Sequence, residues 1–124
     1  MSENKSVCII EDNFPIRKLF SSVLKKNNYN VQDFDNARDG INWLRSNKPD
    51  VILLDILLPE INGWDALKII RQIDGFESLP VIAVSGFTSE SDKARYIQAG
   101  FNGFMSKPVN VSTFAEEVNA FINN

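Results

Sequence analysis

The sequence contains no histidine and only one cysteine, and these absences exclude several classes of function. Histidine is a common general base and the commonest metal ligand in proteins, so histidine-based catalysis and imidazole metal sites are excluded. The single cysteine, Cys8, lies within a short apolar run, which predicts an inert core residue.

Long apolar runs and excess charge of one sign are also missing. No apolar run approaches the ~18 residues that a membrane-spanning helix needs. The formal net charge is −3, with acidic and basic residues mixed along the chain. Without a basic stripe, direct binding to nucleic acid is not expected. The polar N-terminus, residues 1–5, lacks the apolar core of a signal peptide, which predicts a cytoplasmic protein.

The residues that are present predict a single α/β domain over residues 1–124, without a second domain. Short apolar runs predict strands at residues 7–10, 29–34, 51–54, 81–84 and 104–105. Amphipathic spacing predicts helices over residues 14–24, 37–44, 64–73, 89–99 and 111–122. This fivefold β–α alternation favours a doubly wound parallel sheet with helices on both faces.

Several residues are typical of helix ends. Pro15 suits the first turn of the first helix, Asn36 and Asn110 are predicted N-caps, and Gly100 is a predicted C-cap. The apolar residues expected to point inward are Ile16, Leu19, Phe20, Val23 and Leu24 in the first helix and Val111, Phe114, Val118, Phe121 and Ile122 in the last.

In residues 51–63, four apolar residues run into a single carboxylate, Asp55, and a turn follows. A short, evenly apolar run is typical of a strand buried on both faces of a parallel sheet. Ligands bind at the carboxyl ends of such strands, which makes Asp55 the first candidate for a functional residue. The alternative is a structural role for Asp55, in which it starts a turn or caps a helix.

Polar side chains follow four of the predicted strands and are expected to meet at one edge of the sheet. They are Glu11, Asp12, Asp55, Ser85 and Lys107. Three carboxylates packed together repel one another, so their pKa values rise unless a cation is present. An all-oxygen ligand set with room for water favours Mg²⁺. A structural alternative is that Glu11 and Asp12 only cap the helix that begins near Phe14.

In this order, Glu11-Asp12, Asp55, Ser85 and Lys107-Pro108 resemble the site of receiver domains of the two-component response-regulator family. The resemblance covers residues 7–122. It implies a flavodoxin-like (βα)₅ three-layer sandwich with a five-stranded parallel sheet in the order 2-1-3-4-5. The segments around Asp12 and after Asp55 look most like stand-alone receivers that control bacterial motility and cell division, and like receivers fused to hybrid kinases.

The resemblance implies that Asp55 is the phosphoacceptor and takes a phosphoryl group from a phosphohistidine on a partner. Asp12, Asp55 and the backbone carbonyl of Leu57 would ligate Mg²⁺ directly, and Mn²⁺ is an acceptable substitute. Glu11 would act mainly through water. The protein would catalyse only its own phosphorylation and dephosphorylation, so it is not expected to be an enzyme.

The resemblance also implies a switch. Lys107 would pair with one phosphoryl oxygen and the Ser85 hydroxyl with another, and their movement would displace the loop after the fourth strand. Gly86 opens space beside the phosphoryl group and loosens this loop. Phe104 stands where an aromatic residue of the family moves inward, and packing within the short fifth strand is its alternative role. The output surface would be the fourth helix, fifth strand and fifth helix.

Leu57 and Phe87 flank the implied phosphorylation site at positions where family members vary, and both are apolar. We predict that they hinder an attacking water and make the phosphoryl-aspartate relatively long-lived.

Three rival functions are weighed against a receiver domain. A haloacid-dehalogenase-type phosphatase, which also forms an aspartyl phosphate with Mg²⁺, would carry a second acid where this chain has Leu57. A flavodoxin-like FMN binder would have a phosphate-cradling loop after the first strand, but this loop is acidic. A pseudo-receiver would bind partners without phosphorylation, although all the reactive groups are present.

The expected partners are a sensor histidine kinase or a histidine phosphotransfer protein, and a downstream protein target that the sequence does not name. Three settings are compatible with the chain: a free shuttle, an intermediate in a phosphorelay, or a receiver excised from a longer regulator such as a hybrid kinase. The chain is expected to be a monomer or a weak dimer.

Overall fold

Strands and helices alternate along the whole chain in the computed structural model, which describes residues 4–123. The first three residues of the polar N-terminus and Asn124 lie outside the described residues. The elements are β1 (Ser6–Ile10), α1 (Phe14–Lys26), β2 (Asn30–Phe34), α2 (Ala37–Leu44), β3 (Val51–Asp55), α3 (Gly63–Arg71), β4 (Val81–Ser85), α4 (Glu90–Ala99), β5 (Gly103–Ser106) and α5 (Val111–Ile122). None of the helices in this part of the chain has the length and hydrophobicity of a membrane-spanning segment.

The five strands form one parallel sheet in the order β2-β1-β3-β4-β5, which confirms the predicted fold. Every residue of β3 and β4 is buried, because helices cover both faces of the sheet. β3 lies in the middle, between β1 and β4. Asp55, its last residue, therefore stands at the centre of the carboxyl edge.

Two apolar layers hold the helices against the sheet. On one face, α2, α3 and α4 bury residues that include Ile41, Leu67 and Tyr96. On the other face, α1 and α5 meet through Phe20 and Phe114, whose rings stack with centroids 4.7 Å apart. Cys8 is fully buried in the first layer, and burial raises the pKa of its thiol. The prediction of an inert core cysteine is therefore confirmed.

The helix ends follow the predicted signals, with one correction. Asn36 and Asn110 accept hydrogen bonds from the first turns of α2 and α5, and Gly100 ends α4 with φ of 112°. At α1, however, the N-cap is Asn13, whose side-chain oxygen accepts from the Ile16 N–H at 3.0 Å. The structural alternative for Glu11 and Asp12, capping of α1, is therefore wrong.

Three apolar residues do not lie where the periodicity predicted. Leu19 is exposed, whereas Phe20 and Leu24 face the sheet. Consecutive side chains of a helix point about 100° apart around its axis, so the side chain of Leu19 points away from the face that Phe20 buries. Val111 is exposed and is the first residue of α5. A side chain in a helix packs over the turn before it, and no helical turn precedes Val111. Ile73 lies beyond α3, which ends at Arg71 in tight i→i+3 turns.

Candidate functional site

The carboxyl ends of β1, β3, β4 and β5 meet around one open cleft of about 390 Å³. The polar and charged side chains predicted to converge all line it: Glu11, Asp12, Asp55, Ser85 and Lys107. Leu57, Gly86 and Phe87 line the same cleft, whereas Phe104 does not. Strand ends in a parallel sheet share one edge, so these residues meet although they are far apart in the chain.

Three carboxylates form a tight acidic cluster in this cleft. Glu11, Asp12 and Asp55 each place a carboxylate oxygen within 4.8 Å of the others. Glu11 and Asp55 are buried, and Asp12 is exposed to solvent. Carboxylate oxygens are the donors that hard divalent cations prefer, so the cluster fits a cation such as Mg²⁺.

The loop after β1 holds Glu11 in place through several contacts. The Asn13 N–H donates to Glu11 Oε2 at 3.1 Å, and Arg17 Nη1 donates to the Glu11 carbonyl at 3.0 Å. The Glu11 N–H in turn donates to the Phe34 carbonyl at the end of β2, at 3.0 Å. The acidic side chain is therefore fixed on the floor of the cleft by α1 and β2 as well as by its own strand.

Lys107 brings a positive charge onto this cluster from the end of β5. Its Nζ lies 2.7 Å from Glu11 Oε1 and 3.3 Å from Asp55 Oδ1. Burial alone would lower the pKa of the ammonium, but the hydrogen bond to Glu11 and the charges of both acids outweigh it and raise the pKa. The Lys107 N–H donates to the Ser85 carbonyl at 2.9 Å, which ties the lysine to the end of β4.

The pKa of Asp55 is strongly shifted by its surroundings. Burial, the largest cause, and the negative charge of Glu11 raise the pKa of its carboxyl to about 7, while Lys107 opposes this rise. The ordinary value for the side chain is 3.8. A bound cation would favour the ionised form, since opposite charge lowers a carboxyl pKa. The cluster as it stands is short of positive charge.

Ser85 is the last residue of β4, the strand that pairs with β3 and its terminal residue Asp55. It is buried, and its Oγ accepts a hydrogen bond from the Phe87 N–H at 2.9 Å. A Cβ added at Gly86 would meet no atom within 4 Å, so the space predicted beside this residue is present.

Two exposed apolar side chains flank the cleft. Leu57 is 63% exposed and Phe87 is 54% exposed, and they follow β3 and β4 respectively. The Leu57 N–H donates to Asp55 Oδ1 at 3.3 Å, so this residue contacts the carboxylate through its backbone. The apolar flanks predicted from the sequence are therefore in place, and their effect on an attacking water stays a prediction.

Phe104 lies beside the cleft, half-buried in the layer formed by α3 and α4. Its ring centroid is 6.1 Å from that of Tyr96, and the ammonium of Lys93 lies 5.4 Å from the ring centre. This is the inward packing expected of a β5 residue, and a switch role stays a prediction.

Sequence reasoning missed two residues that organise the surroundings. Tyr96 Oη donates to the Phe87 carbonyl at 2.6 Å, and Arg71 donates to three backbone carbonyls and to the Asn102 side chain. A lone tyrosine in the otherwise polar helix α4 was a signal for the first. The acceptors of Arg71 come from separate loops, which no local pattern indicates.

The chain matches the family described as response regulator receiver domain over residues 7–119. A relative, the polar-differentiation response regulator DivK of Brucella anthropi, is 34% identical over 120 residues, covering 97% of this chain and 98% of that protein. Its counterpart from Brucella ovis is 32% identical over the same share of both chains.

Solved structures of other proteins share this fold. The chemotaxis response regulator CheY4 of Vibrio cholerae superposes with a TM-score of 0.90 at 23% identity, over 95% of this chain and 98% of that one. The receiver domain of a Pseudomonas aeruginosa sensor histidine kinase gives 0.88 at 22% identity, over 98% and 99%, and that structure holds a magnesium ion in its active-site cleft. From its sequence match and relatives, the chain belongs to the receiver-domain family of response regulators, which are signalling switches.

Proposed function

We propose that this protein is a phosphorylation-dependent switch in which Asp55 accepts a phosphoryl group from a phosphohistidine. The observation that carries the proposal is the convergence of Asp55 with two further carboxylates, Ser85 and Lys107 in one open cleft. Family membership supports the same function, because receiver domains of two-component systems interact with histidine kinases.

In the transfer, a carboxylate oxygen of Asp55 attacks phosphorus as the phosphorus–nitrogen bond of the phosphohistidine breaks. The bonding pair leaves with the imidazole nitrogen, which takes a proton from solvent. The new bond joins the Asp55 oxygen to phosphorus as an acyl phosphate. Such a reaction depends mainly on positioning and on neutralising charge on the phosphoryl oxygens.

The chain's own residues suit these two tasks. Lys107 Nζ already lies 3.3 Å from the Asp55 carboxylate, within reach of an oxygen on the transferred group. The Ser85 hydroxyl lines the same cleft and can donate to a second phosphoryl oxygen. In this proposal Asp55, Lys107 and Ser85 are the residues that contact the reacting atoms.

The metal would be held by Asp12, Asp55 and the Leu57 carbonyl, with Glu11 acting through water. Bound there, Mg²⁺ or Mn²⁺ would neutralise charge on the phosphoryl oxygens and hold the reactants in line. The three carboxylates, whose oxygens lie within 4.8 Å of one another, support such an occupant.

The effect on the output surface follows from the charge that a phosphoryl group would place at Asp55. A phosphoryl group adds negative charge and oxygen acceptors at Asp55, which draws Lys107 and Ser85 toward it. Ser85 leads into the loop before α4, and Lys107 directly follows β5. A change at these two residues would therefore reach the surface formed by α4, β5 and α5, where a downstream protein target would bind, with Phe104 as the aromatic residue that moves.

The test is direct labelling of the purified protein. Incubation with Mg²⁺ and radiolabelled acetyl phosphate should produce acid-stable, base-labile phosphate on Asp55. Removing Mg²⁺ with EDTA should abolish the label. Asp55→Asn should remain unlabelled, whereas Asp65→Asn, which removes an exposed carboxylate on α3, should label like the parent protein.

Two results would contradict the proposal. One is the absence of label with saturating Mg²⁺ in a folded protein. The other is label that survives Asp55→Asn, because it would place the phosphate on another residue. The same assay with a phosphorylated histidine phosphotransfer protein as donor would test the partner class.

A further inference from the structure

Phe87, in the segment that follows β4, forms two hydrogen bonds through its backbone. Its N–H donates to Ser85 Oγ at 2.9 Å, and its carbonyl accepts from Tyr96 Oη at 2.6 Å. Both polar backbone groups of Phe87 are thus bound by side chains, while its own side chain is 54% exposed. Gly86, just before it, has no atoms within 4 Å of a built Cβ.

Tyr96 is a rigid support for this bond. Its side chain is 1% exposed, and it is the one residue that α4 buries. The ring stacks on Trp64 with centroids 5.2 Å apart and meets Phe101 edge-on at 6.1 Å. A ring packed between Trp64 and Phe101 can fix a loop carbonyl through its hydroxyl, because the ring has no freedom to follow the loop.

The hydrogen bond from Tyr96 to the Phe87 carbonyl affects the reaction at Asp55 through Ser85. A serine hydroxyl has one hydrogen to donate and two lone pairs. The Phe87 N–H occupies one lone pair, and within residues 4–123 no side chain or carbonyl takes the hydroxyl hydrogen. The hydrogen is therefore left for an acceptor in the cleft, as long as Phe87 stays where Tyr96 holds it.

We infer that Tyr96 is a positioning residue for the reaction at Asp55: through the Phe87 carbonyl it holds the segment 85–87 so that the Ser85 hydroxyl is presented to the transferred phosphoryl group. The inference rests on the proposed function, since it assigns the role of a residue that acts through Ser85. Tyr96 itself does not line the cleft.

Tyr96→Phe tests the inference, because it removes the hydroxyl and keeps the buried ring. The chain has one other tyrosine, so Tyr29→Phe is a matched control; Tyr29 lies on β2's side of the molecule and does not line the cleft. With saturating Mg²⁺ and acetyl phosphate, Tyr96→Phe should slow labelling of Asp55 about fivefold, the loss expected for one hydrogen bond. Tyr29→Phe should leave the rate unchanged.

A double-mutant cycle separates positioning from a general structural effect. Ser85→Ala removes the group that Tyr96 is inferred to position, so adding Tyr96→Phe to it should slow labelling no further. If Tyr96→Phe slows labelling by the same factor in both backgrounds, Tyr96 does not act through Ser85 and the inference is overturned. An unchanged or faster rate for the single variant overturns it as well.

A second measurement does not depend on phosphorylation. Amide hydrogen exchange of Phe87 in the unphosphorylated protein should be about fivefold faster in Tyr96→Phe than in the parent, since one of the two bonds holding the segment is gone. Unchanged exchange would overturn the inference even if labelling is slowed. Failure of the parent protein to label would instead contradict the proposed function and leave this readout to decide the role of Tyr96 in holding the loop.

Discussion

The helices α3 and α4 follow the two strands that carry Asp55 and Ser85, and they are attached very differently. α3 buries an apolar stripe that includes Ala66, Leu67 and Ile70. α4 buries only Tyr96 and is otherwise half-buried or exposed. Burial of apolar surface is the main source of stability, so the two helices are held with very unequal strength.

The junctions before these helices differ in the same way. The Gly63 N–H at the start of α3 donates to the Ile56 carbonyl at 2.8 Å, and a Cβ at Gly63 would lie 2.5 Å from the Asp55 carbonyl oxygen. At Gly86, before α4, a Cβ would meet nothing within 4 Å. The junction after Asp55 is thus packed tightly, while the junction after Ser85 is held by few contacts, as expected of an element that moves.

The largest expected effect tests this contrast with two glycines. Gly63→Ala should lower the free energy of unfolding by about 3 kcal/mol, the upper range for overpacking, because the new methyl meets fixed backbone. Gly86→Ala should stay within ~0.5 kcal/mol of the parent. Urea unfolding of both variants provides the comparison. Equal losses would show that the two junctions are packed alike.

Arg71, at the end of α3, should give the next largest loss. Its guanidinium donates to the carbonyls of Phe76, Leu79 and Gly100, and the last of these lies at the end of α4. Arg71→Ala should cost about 2 to 3 kcal/mol in urea unfolding, since hydrogen bonds from a charged group are lost. Arg71→Lys should recover only part of this, because an ammonium cannot reproduce the fork of donors.

The matched control for Arg71 lies on α4. The guanidinium of Arg95 lies 4.9 Å from the centre of the Trp64 ring and is otherwise a surface group. Arg95→Ala should cost at most ~1 kcal/mol, the value of an exposed cation–π contact. A cost equal to that of Arg71→Ala would contradict the unequal attachment of the two helices.

A third prediction concerns the pH dependence of stability in the metal-free protein. Folding raises the pKa of Asp55 from 3.8 to about 7, so between these values the folded state binds more protons than the unfolded state. Stability from this group is present at acidic pH and is lost as pH rises through about 7. In EDTA, the thermal midpoint of Asp55→Asn relative to the parent should therefore increase from pH 5 to pH 8.

Mg²⁺ supplies the control for this prediction. A cation that binds the folded acidic cluster stabilises the parent at pH 8, so the advantage of Asp55→Asn should shrink when Mg²⁺ is added. A constant difference between the two proteins from pH 5 to pH 8 without metal would show that Asp55 ionises normally in the folded chain.

The smallest expected effect concerns the lifetime of the phosphoryl group. Leu57→Asn and Phe87→Asn replace exposed apolar side chains on the two junctions and should each speed loss of the label roughly threefold, a barrier change of about 0.6 kcal/mol. Ile97→Asn, at an exposed apolar position outside the cleft, is the control. If the label is lost as fast in the parent as in both variants, the apolar flanks do not shield it.

The parts that local patterns specify were predictable from the sequence. Buried parallel strands read as short apolar runs, so β3 and β4 and the position of Asp55 at a strand end could be predicted. Convergence of Glu11, Ser85 and Lys107 on Asp55 followed because strand ends share one edge. Helix caps such as Asn36 and Gly100 are local as well and were found where predicted.

The rest depends on contacts between distant parts of the chain. Asn13 caps α1 in place of Glu11 and Asp12, because the chain's path brings Glu11 onto Lys107. Arg71 takes acceptors from two loops, and Tyr96 reaches back across nine residues to Phe87. Periodicity locates a helix face, but it does not indicate which polar atom of another segment will lie opposite.

Trp64 of α3 stacks on Tyr96 of α4, so it is an intrinsic fluorescent probe of the contact between these two helices. The indole lies against Tyr96, meets Phe101 edge-on at 5.8 Å and is covered by Arg95, so its fluorescence reports on all three neighbours. The other tryptophan, Trp43, lies on the same face of the sheet but packs on Phe34 of the edge strand β2. In a Trp43→Phe background, emission from Trp64 alone would follow displacement of α4 in real time, without an attached dye.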